Sequence, residues 1–122
     1  MSLPVITPQN AKQLIEKGAL LVDVRGPGEF SGGHIVGAIN TPLPTLTAGS
    51  VGDHKQTIVY YCKSGMRTKM NASALATAAK GNAFILAGGV DAWRAAGFDI
   101  TSPEPSGDAS AGLLNRLAKL FS

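Results

Sequence analysis

"TIVYYCKSGMRTKM", residues 57–70, decides how the rest of the chain is read. Its first half, "TIVYY" (57–61), is a β-branched and aromatic run of strand length. It is apolar throughout, as a strand covered on both faces must be. The second half turns polar and cationic around Gly65, a residue that permits backbone conformations a side chain forbids. A stretch of helix-forming composition, 67–80, follows, and Gly81 stands where a C′ residue would. The junction reads as strand, tight loop, helix. It opens on Cys62, the single cysteine of the chain.

Outward from this junction the same alternation repeats. Thr7 and Pro8 read as an N-cap and a first-turn proline, and Gly18 ends the short helix they start. "ALLVDV" (19–24) is a buried strand interrupted by Asp23. A helical turn is expected near Glu29 and Phe30, and a short strand in "GAINTPL". "TLTAGSVGDHKQ" reads as loop, and "NAFILA" as a third buried strand. "GGVDAWRAAG" reads as a glycine turn, a helix and a terminating Gly97, with Trp93 packed between helix and sheet. Strands alternating with helices predict an α/β fold: a parallel sheet with helices on both faces and its ligand site along the strand C-terminal ends.

The bulk properties agree. A chain of 122 residues is one domain's worth, and 44% hydrophobic with 16% charged residues is a globular composition. A net charge of +3, spread along the chain, is too mild for a nucleic-acid partner. One cysteine excludes an internal disulfide. The N-terminus has neither a basic n-region nor a long apolar h-region, so no signal peptide is expected. No window approaches the roughly 18 apolar residues of a transmembrane helix.

On the residues alone Cys62 has two readings. A lone cysteine is commonly a small packed hydrophobe. Its neighbours Lys63, Ser64, Gly65 and Arg67 are not core residues, however, and functional groups concentrate in such loops. Backbone amides in a tight turn can converge on an anion, and a following helix adds partial positive charge. Lys63 and Arg67 add two full charges. All of this favours thiolate over thiol and makes Cys62 a candidate nucleophile. No C-x-x-C or H-E-x-x-H pattern offers a metal site, and His34 and His54 lack any spacing that marks a general base. Cys62 to Arg67 is C-x4-R, one residue short of the C-x5-R loop of tyrosine-type phosphatases. One residue is about 3.3–3.6 Å of extended chain. The tighter ring of amides suits a terminal sulfur better than a phosphoryl group.

Three segments in order resemble the rhodanese family, single-domain thiosulfate sulfurtransferases, across nearly all of residues 5–100. "LLVDVRGPGEFSGGHIVGAIN" is similar to the family's D-x-R…E-[FY]…G-H-I-x-G-A-x-N signature. "IVYYCKSGMR" resembles its six-residue active loop, and "FILAGGVDAW" its G-G-x-x-x-W close. The resemblance implies about five parallel strands flanked by helices. It implies that Cys62 takes a sulfur from thiosulfate or a similar donor, becomes a persulfide held by the amides of residues 63–67, and passes it to cyanide or a thiol by ping-pong kinetics. No cofactor or metal is implied.

Within that frame Lys63 is expected to steer an anionic substrate, Ser64 to offer a hydroxyl, and Met66 to form an apolar lip or pack inward. Arg67 is expected to face substrate or to brace the loop on Asp23 or Glu29. Asp23, in an apolar run, needs a cationic partner, Arg67 or Arg25. The other function classes are a sulfur-carrier module serving a protein partner and, less favoured, a phosphatase or arsenate reductase on the same fold. The expected domain spans 1–100, a Pro/Ser/Gly-rich linker 101–112, and an amphipathic basic helix 113–122, with Leu113, Leu114, Leu117, Leu120 and Phe121 on one face. That tail could pack on the domain, self-associate or lie on an anionic membrane. The expected location is the cytoplasm, or its membrane face if the tail anchors there.

Overall fold

The structure, a computed structural model, describes residues 3–53 and 56–101. Five strands form one parallel sheet in the order β1 (Val5–Ile6), β6 (Ala83–Leu86), β5 (Ile58–Tyr61), β2 (Leu20–Asp23), β4 (Ile39–Asn40). A two-residue antiparallel ribbon joins β3 (His34–Ile35) to β7 (Ile100–Thr101). The α/β expectation holds. The last described strand includes Thr101, one residue beyond the expected domain limit. The rest of the expected linker and the tail helix lie outside the described residues.

β5 sits at the centre, and side-chain alternation along it builds both halves of the core. Ile58 and Tyr60 join Val22, Val51 and Leu75 on one face; Val59 and Tyr61 join Leu21, Leu86, Val90 and Trp93 on the other. Cys62 follows β5 with the parity of Ile58 and Tyr60, so it enters the first cluster. Both tyrosine hydroxyls are partnered. Tyr60 donates to Leu75 O at 2.9 Å, and Tyr61 Oη accepts from Ile35 N at 3.1 Å. A buried hydroxyl left alone would cost about 1–3 kcal/mol.

The helices follow the capping signals. Helix α1 (Pro8–Glu16) starts at Thr7, whose hydroxyl accepts from Asn10 N at 3.1 Å. Helix α2 (Pro27–Ser31) carries Glu29, and α5 (Gly89–Ala95) carries Trp93. Trp93 is buried against Phe98 and donates to Asp99 O at 3.0 Å, so its core reading is right.

The expected single helix over 67–80 is corrected. It is two helices, α3 (Met66–Met70) and α4 (Ala72–Ala78), broken at Asn71 (φ −120°, ψ 23°), and it ends before Gly81. One local contact and one tertiary contact accompany this. Asn71 bonds Arg67 O through its side chain at 2.7 Å. After α4 the backbone turns extended at Ala79 to bridge Val51, with Val51 N on Ala78 O at 3.0 Å and Lys80 N on Val51 O at 3.2 Å. A helix of seven residues is marginal alone. Full burial of Leu75 contributes about 2 kcal/mol toward holding it on the sheet.

Candidate active site

β5 ends at Tyr61, and residues 62–65 turn the chain into α3. The carbonyls of Cys62 and Lys63 accept from Val90 N and Asp91 N of α5, each at 3.0 Å. In a trans peptide the N–H points opposite to its C=O. With those carbonyls turned toward α5, the amides of Lys63 and Ser64 are directed away from it. Gly65 takes φ +94°, the left-handed conformation the sequence reserved for it, and its amide donates to Cys62 Sγ at 3.2 Å. Among the described residues the amides of Lys63, Ser64, Met66 and Arg67 have no acceptor in the protein.

Gly89 makes this approach possible. A Cβ there would stand 2.3 Å from Cys62 O and 2.5 Å from Lys63 O. The "GG" at 88–89 is therefore the contact surface between α5 and the loop as well as a turn.

Cys62 is 1% exposed, so the packed-hydrophobe reading describes its burial correctly. It does not describe its polar surroundings. Besides the Gly65 amide, Thr68 Oγ1 lies 3.7 Å from Sγ, and that hydroxyl bonds Gly65 O at 3.0 Å. Lys63, Ser64 and Met66 are exposed; Met66, at 65%, is not a core residue.

The charges around the loop are matched in pairs. Arg67 reaches Glu29, not Asp23: Nη1 to Oε1 and Nη2 to Oε2, each 2.8 Å. These hydrogen bonds hold the Glu29 carboxyl down at about 2, against a weaker upward pull from burial, and raise the Arg67 guanidinium in turn. Lys63 Nζ lies 3.1 Å from Asp91 Oδ2. Of the readings open for Arg67, bracing on Glu29 is the one observed; Lys63, expected to steer an anionic substrate, is met by Asp91, a carboxylate that the local sequence did not reveal. The helix contribution is also smaller than expected, since α3 has only five residues.

Asp23 takes Arg25 as its partner. Arg25 Nε donates to both carboxylate oxygens at 3.0 Å, Nη2 to Oδ2 at 2.6 Å, and its backbone amide to Oδ1 at 2.9 Å. Nη2 also bonds Gly33 O at 2.6 Å, tying β2 to the segment after α2. Burial pulls the guanidinium down, and the bonds and charge of Asp23 more than offset it. Asn40 completes the support by donating to Asp23 O at 3.0 Å and Arg25 O at 2.9 Å.

His34 bonds Phe30 O through Nδ1 at 2.9 Å and stacks on the Phe30 ring at 3.7 Å, a structural role. His54 lies outside the described residues. Among the described residues no cluster of three or more His, Cys, Asp or Glu could hold a metal ion, and no helix is long and apolar enough to cross a membrane.

Sequence reasoning missed Thr68, Gly89, Asp91 and Asn40. Of these only the Gly88–Gly89 doublet carried a local signal, because adjacent glycines ahead of a helix mark a close backbone approach.

Comparison with known proteins bears on this geometry. A family model described as "Rhodanese-like domain" matches residues 7–96. The chain is 33% identical over 94 residues to the thiosulfate sulfurtransferase GlpE of Haemophilus influenzae, covering 76% of this chain and 90% of that one. It is 37% identical to the uncharacterized protein YibN of Escherichia coli, covering 73% and 66%. The solution structure of the rhodanese-like domain of the Anabaena protein Alr3790 superposes with a TM-score of 0.70 at 27% identity, covering 81% and 79%.

Proposed function

The chain belongs to the rhodanese-like domain family, and on that premise we propose that it is a sulfurtransferase working through a persulfide on Cys62. The observation that carries the reading is the Gly65 amide placed 3.2 Å from Sγ, at the foot of a loop whose other amides lack acceptors among the described residues.

The chemistry follows from that arrangement. The Cys62 thiolate attacks the outer sulfur of thiosulfate or a similar sulfane donor. A new S–S bond forms, the donor's S–S bond breaks, and sulfite leaves with the electron pair. The persulfide's terminal sulfur then carries negative charge one bond further out than Sγ. Amide donors fixed in advance around that position stabilise it without reorganising, as an oxyanion hole does for oxygen. A thiolate or cyanide then removes the sulfane sulfur and returns Cys62. The two half-reactions predict ping-pong kinetics. Lys63, Ser64, Gly65, Met66 and Arg67 supply the loop, and Asp23, Arg25 and Glu29 hold it in shape.

The tight C-x4-R loop favours sulfur over a phosphoryl group. One observation supports the second reading, a carrier that hands sulfur to a protein. Met66 and Met70, one turn apart on α3, are 65% and 79% exposed beside the loop, and exposed methionines suit adaptable contacts.

Mass spectrometry after thiosulfate treatment tests the main reading. The expected result is a gain of one sulfur atom, removed by cyanide and absent in Cys62→Ser. No gain overturns it. Slow loading from thiosulfate with fast loading from a protein persulfide selects the carrier reading.

A further inference from the structure

Thr68, in the middle of α3, is 0% exposed, and among the described residues its hydroxyl is the side-chain polar group that reaches Cys62. Oγ1 lies 3.7 Å from Sγ and donates to Gly65 O at 3.0 Å. The amide of the same glycine donates to Sγ at 3.2 Å, so thiol, hydroxyl and Gly65 close a ring of contacts.

A threonine hydroxyl has one proton and aims it at one acceptor at a time. Two acceptors stand around this one, Gly65 O and Sγ. Turning the proton from the first to the second orphans nothing, because Gly65 O also accepts from Lys69 N at 3.2 Å. A buried carbonyl left bare would oppose the turn, and the Lys69 amide removes that obstacle.

The charge on Sγ changes through the sulfur-transfer cycle. In the persulfide the negative charge sits on the terminal sulfur, and Sγ is a neutral bridging atom. When an acceptor takes the sulfane sulfur, the charge returns to Sγ, beside the Thr68 hydroxyl. Cys62 is 1% exposed, so water offers little solvation there.

Resting on the sulfurtransferase reading, we propose that Thr68 is a catalytic residue of the unloading half-reaction: its hydroxyl bonds Gly65 O while Cys62 is a persulfide and turns its proton to Sγ as the thiolate leaves. The acceptor, a thiolate or cyanide, supplies the electron pair of the new bond to the outer sulfur. The old S–S bond breaks with its pair on Sγ. The Thr68 proton stays on its oxygen, and no external oxidant or reductant is consumed. A hydrogen bond made in the transition state and absent from the ground state lowers the barrier. Loading gains nothing from it, because there the bond stabilises the thiolate before attack and weakens as charge leaves Sγ. The two half-reactions therefore respond differently, whereas a distorted loop would slow both.

Single-turnover kinetics on the full chain test this. Wild type, Thr68→Val and Thr68→Ser are loaded with thiosulfate, and loading is timed and verified by mass. Excess donor is removed, and unloading is timed with cyanide at the same pH. Valine keeps the shape and removes the hydroxyl; Thr68→Ala takes its place if the valine variant does not fold. Unloading by Thr68→Val is expected to slow about tenfold, the scale of one hydrogen bond to a charged atom. Its loading is expected to change by less than about threefold, because removing the bond leaves fewer thiolates, each more nucleophilic. Thr68→Ser keeps the donor and is expected to unload within about threefold of wild type. Three results overturn the role of the hydroxyl and leave the sulfurtransferase reading standing: slowing of Thr68→Val unloading by less than about threefold, equal slowing of both half-reactions, or a serine variant as slow as the valine one. Failure of wild type to load overturns both.

Discussion

Arg67 of α3 and Glu29 of α2 meet through two parallel hydrogen bonds, Nη1 to Oε1 and Nη2 to Oε2, each 2.8 Å, across 38 positions of sequence. The contact pins the exit of the active loop to the segment that follows β2. Both side chains are about two-fifths exposed, 42% and 41%. Its stabilising effect is therefore modest, about 0.2–1 kcal/mol for pairs of this kind. Its larger consequence is geometric, because it fixes where the loop turns into α3.

The pair gives a pH signature. Arg67 lowers the Glu29 carboxyl from 4.5 to about 2. A carboxyl depressed in the folded state stabilises folding fully above its unfolded value and loses that effect as pH falls through the folded one. Wild type is expected to melt above Glu29→Gln at pH 7, and the gap to close between about pH 4.5 and pH 2. Thermal melts of both proteins across that range check it. A gap independent of pH would show that the charge of Glu29 is not what matters.

Close approach at Gly89 separates two glycine substitutions. Gly89 has φ +60°, and an added Cβ would meet two loop carbonyls at 2.3 and 2.5 Å. Gly89→Ala is expected to cost at least about 2 kcal/mol and to abolish thiol reactivity by displacing the loop. Gly28 has nothing within 4 Å of its Cβ position, so Gly28→Ala is expected to stay within about 0.5 kcal/mol of wild type. Urea denaturation curves compare the two, and equal costs would contradict the packing argument.

Removing the cation from the Asp23–Arg25 pair leaves a carboxylate that is 0% exposed without its partner. Arg25→Met is expected to destabilise by about 3–5 kcal/mol. Arg25→Lys keeps the charge but cannot bond Asp23 and Gly33 O together through a planar fork. It is expected to recover only part of the loss. Full recovery by lysine in chemical denaturation would mean that charge alone holds this corner.

Tyr60 sets an alkaline edge. Burial pushes its phenol from 10.0 up to about 12. The folded state therefore favours the neutral hydroxyl. That contribution is complete below about pH 10 and lost as pH climbs toward 12. Tyr60→Phe is expected to cost about 1 kcal/mol at pH 7, since Leu75 O still keeps the Ala79 amide at 3.2 Å. The difference from wild type is expected to shrink above pH 10 in stability measured by guanidinium unfolding. A difference that grows there would reverse the sign of the argument.

The sequence alone determined the alternation of strands and helices, the buried centre at 57–61, the left-handed glycine after the cysteine, and the position of Cys62 at a strand end. Each of these is written in a local pattern of apolar runs, caps and glycines, so a short window suffices to read it. Tertiary structure decided what stands far apart in the chain. Arg67 found Glu29 and not Asp23, and Asp91 came to Lys63 across 28 positions. The helix expected over 67–80 broke at Asn71 and stopped short to bridge Val51. The two-residue strands β1, β3 and β7 carry no periodicity of their own and exist because a neighbour offers hydrogen bonds. Pairing and register depend on which elements the packed core brings within about 3 Å of each other. No local stretch encodes that distance. The thiol could be found in the sequence, but the polar floor around it and the balance of charge at its mouth belong to the fold.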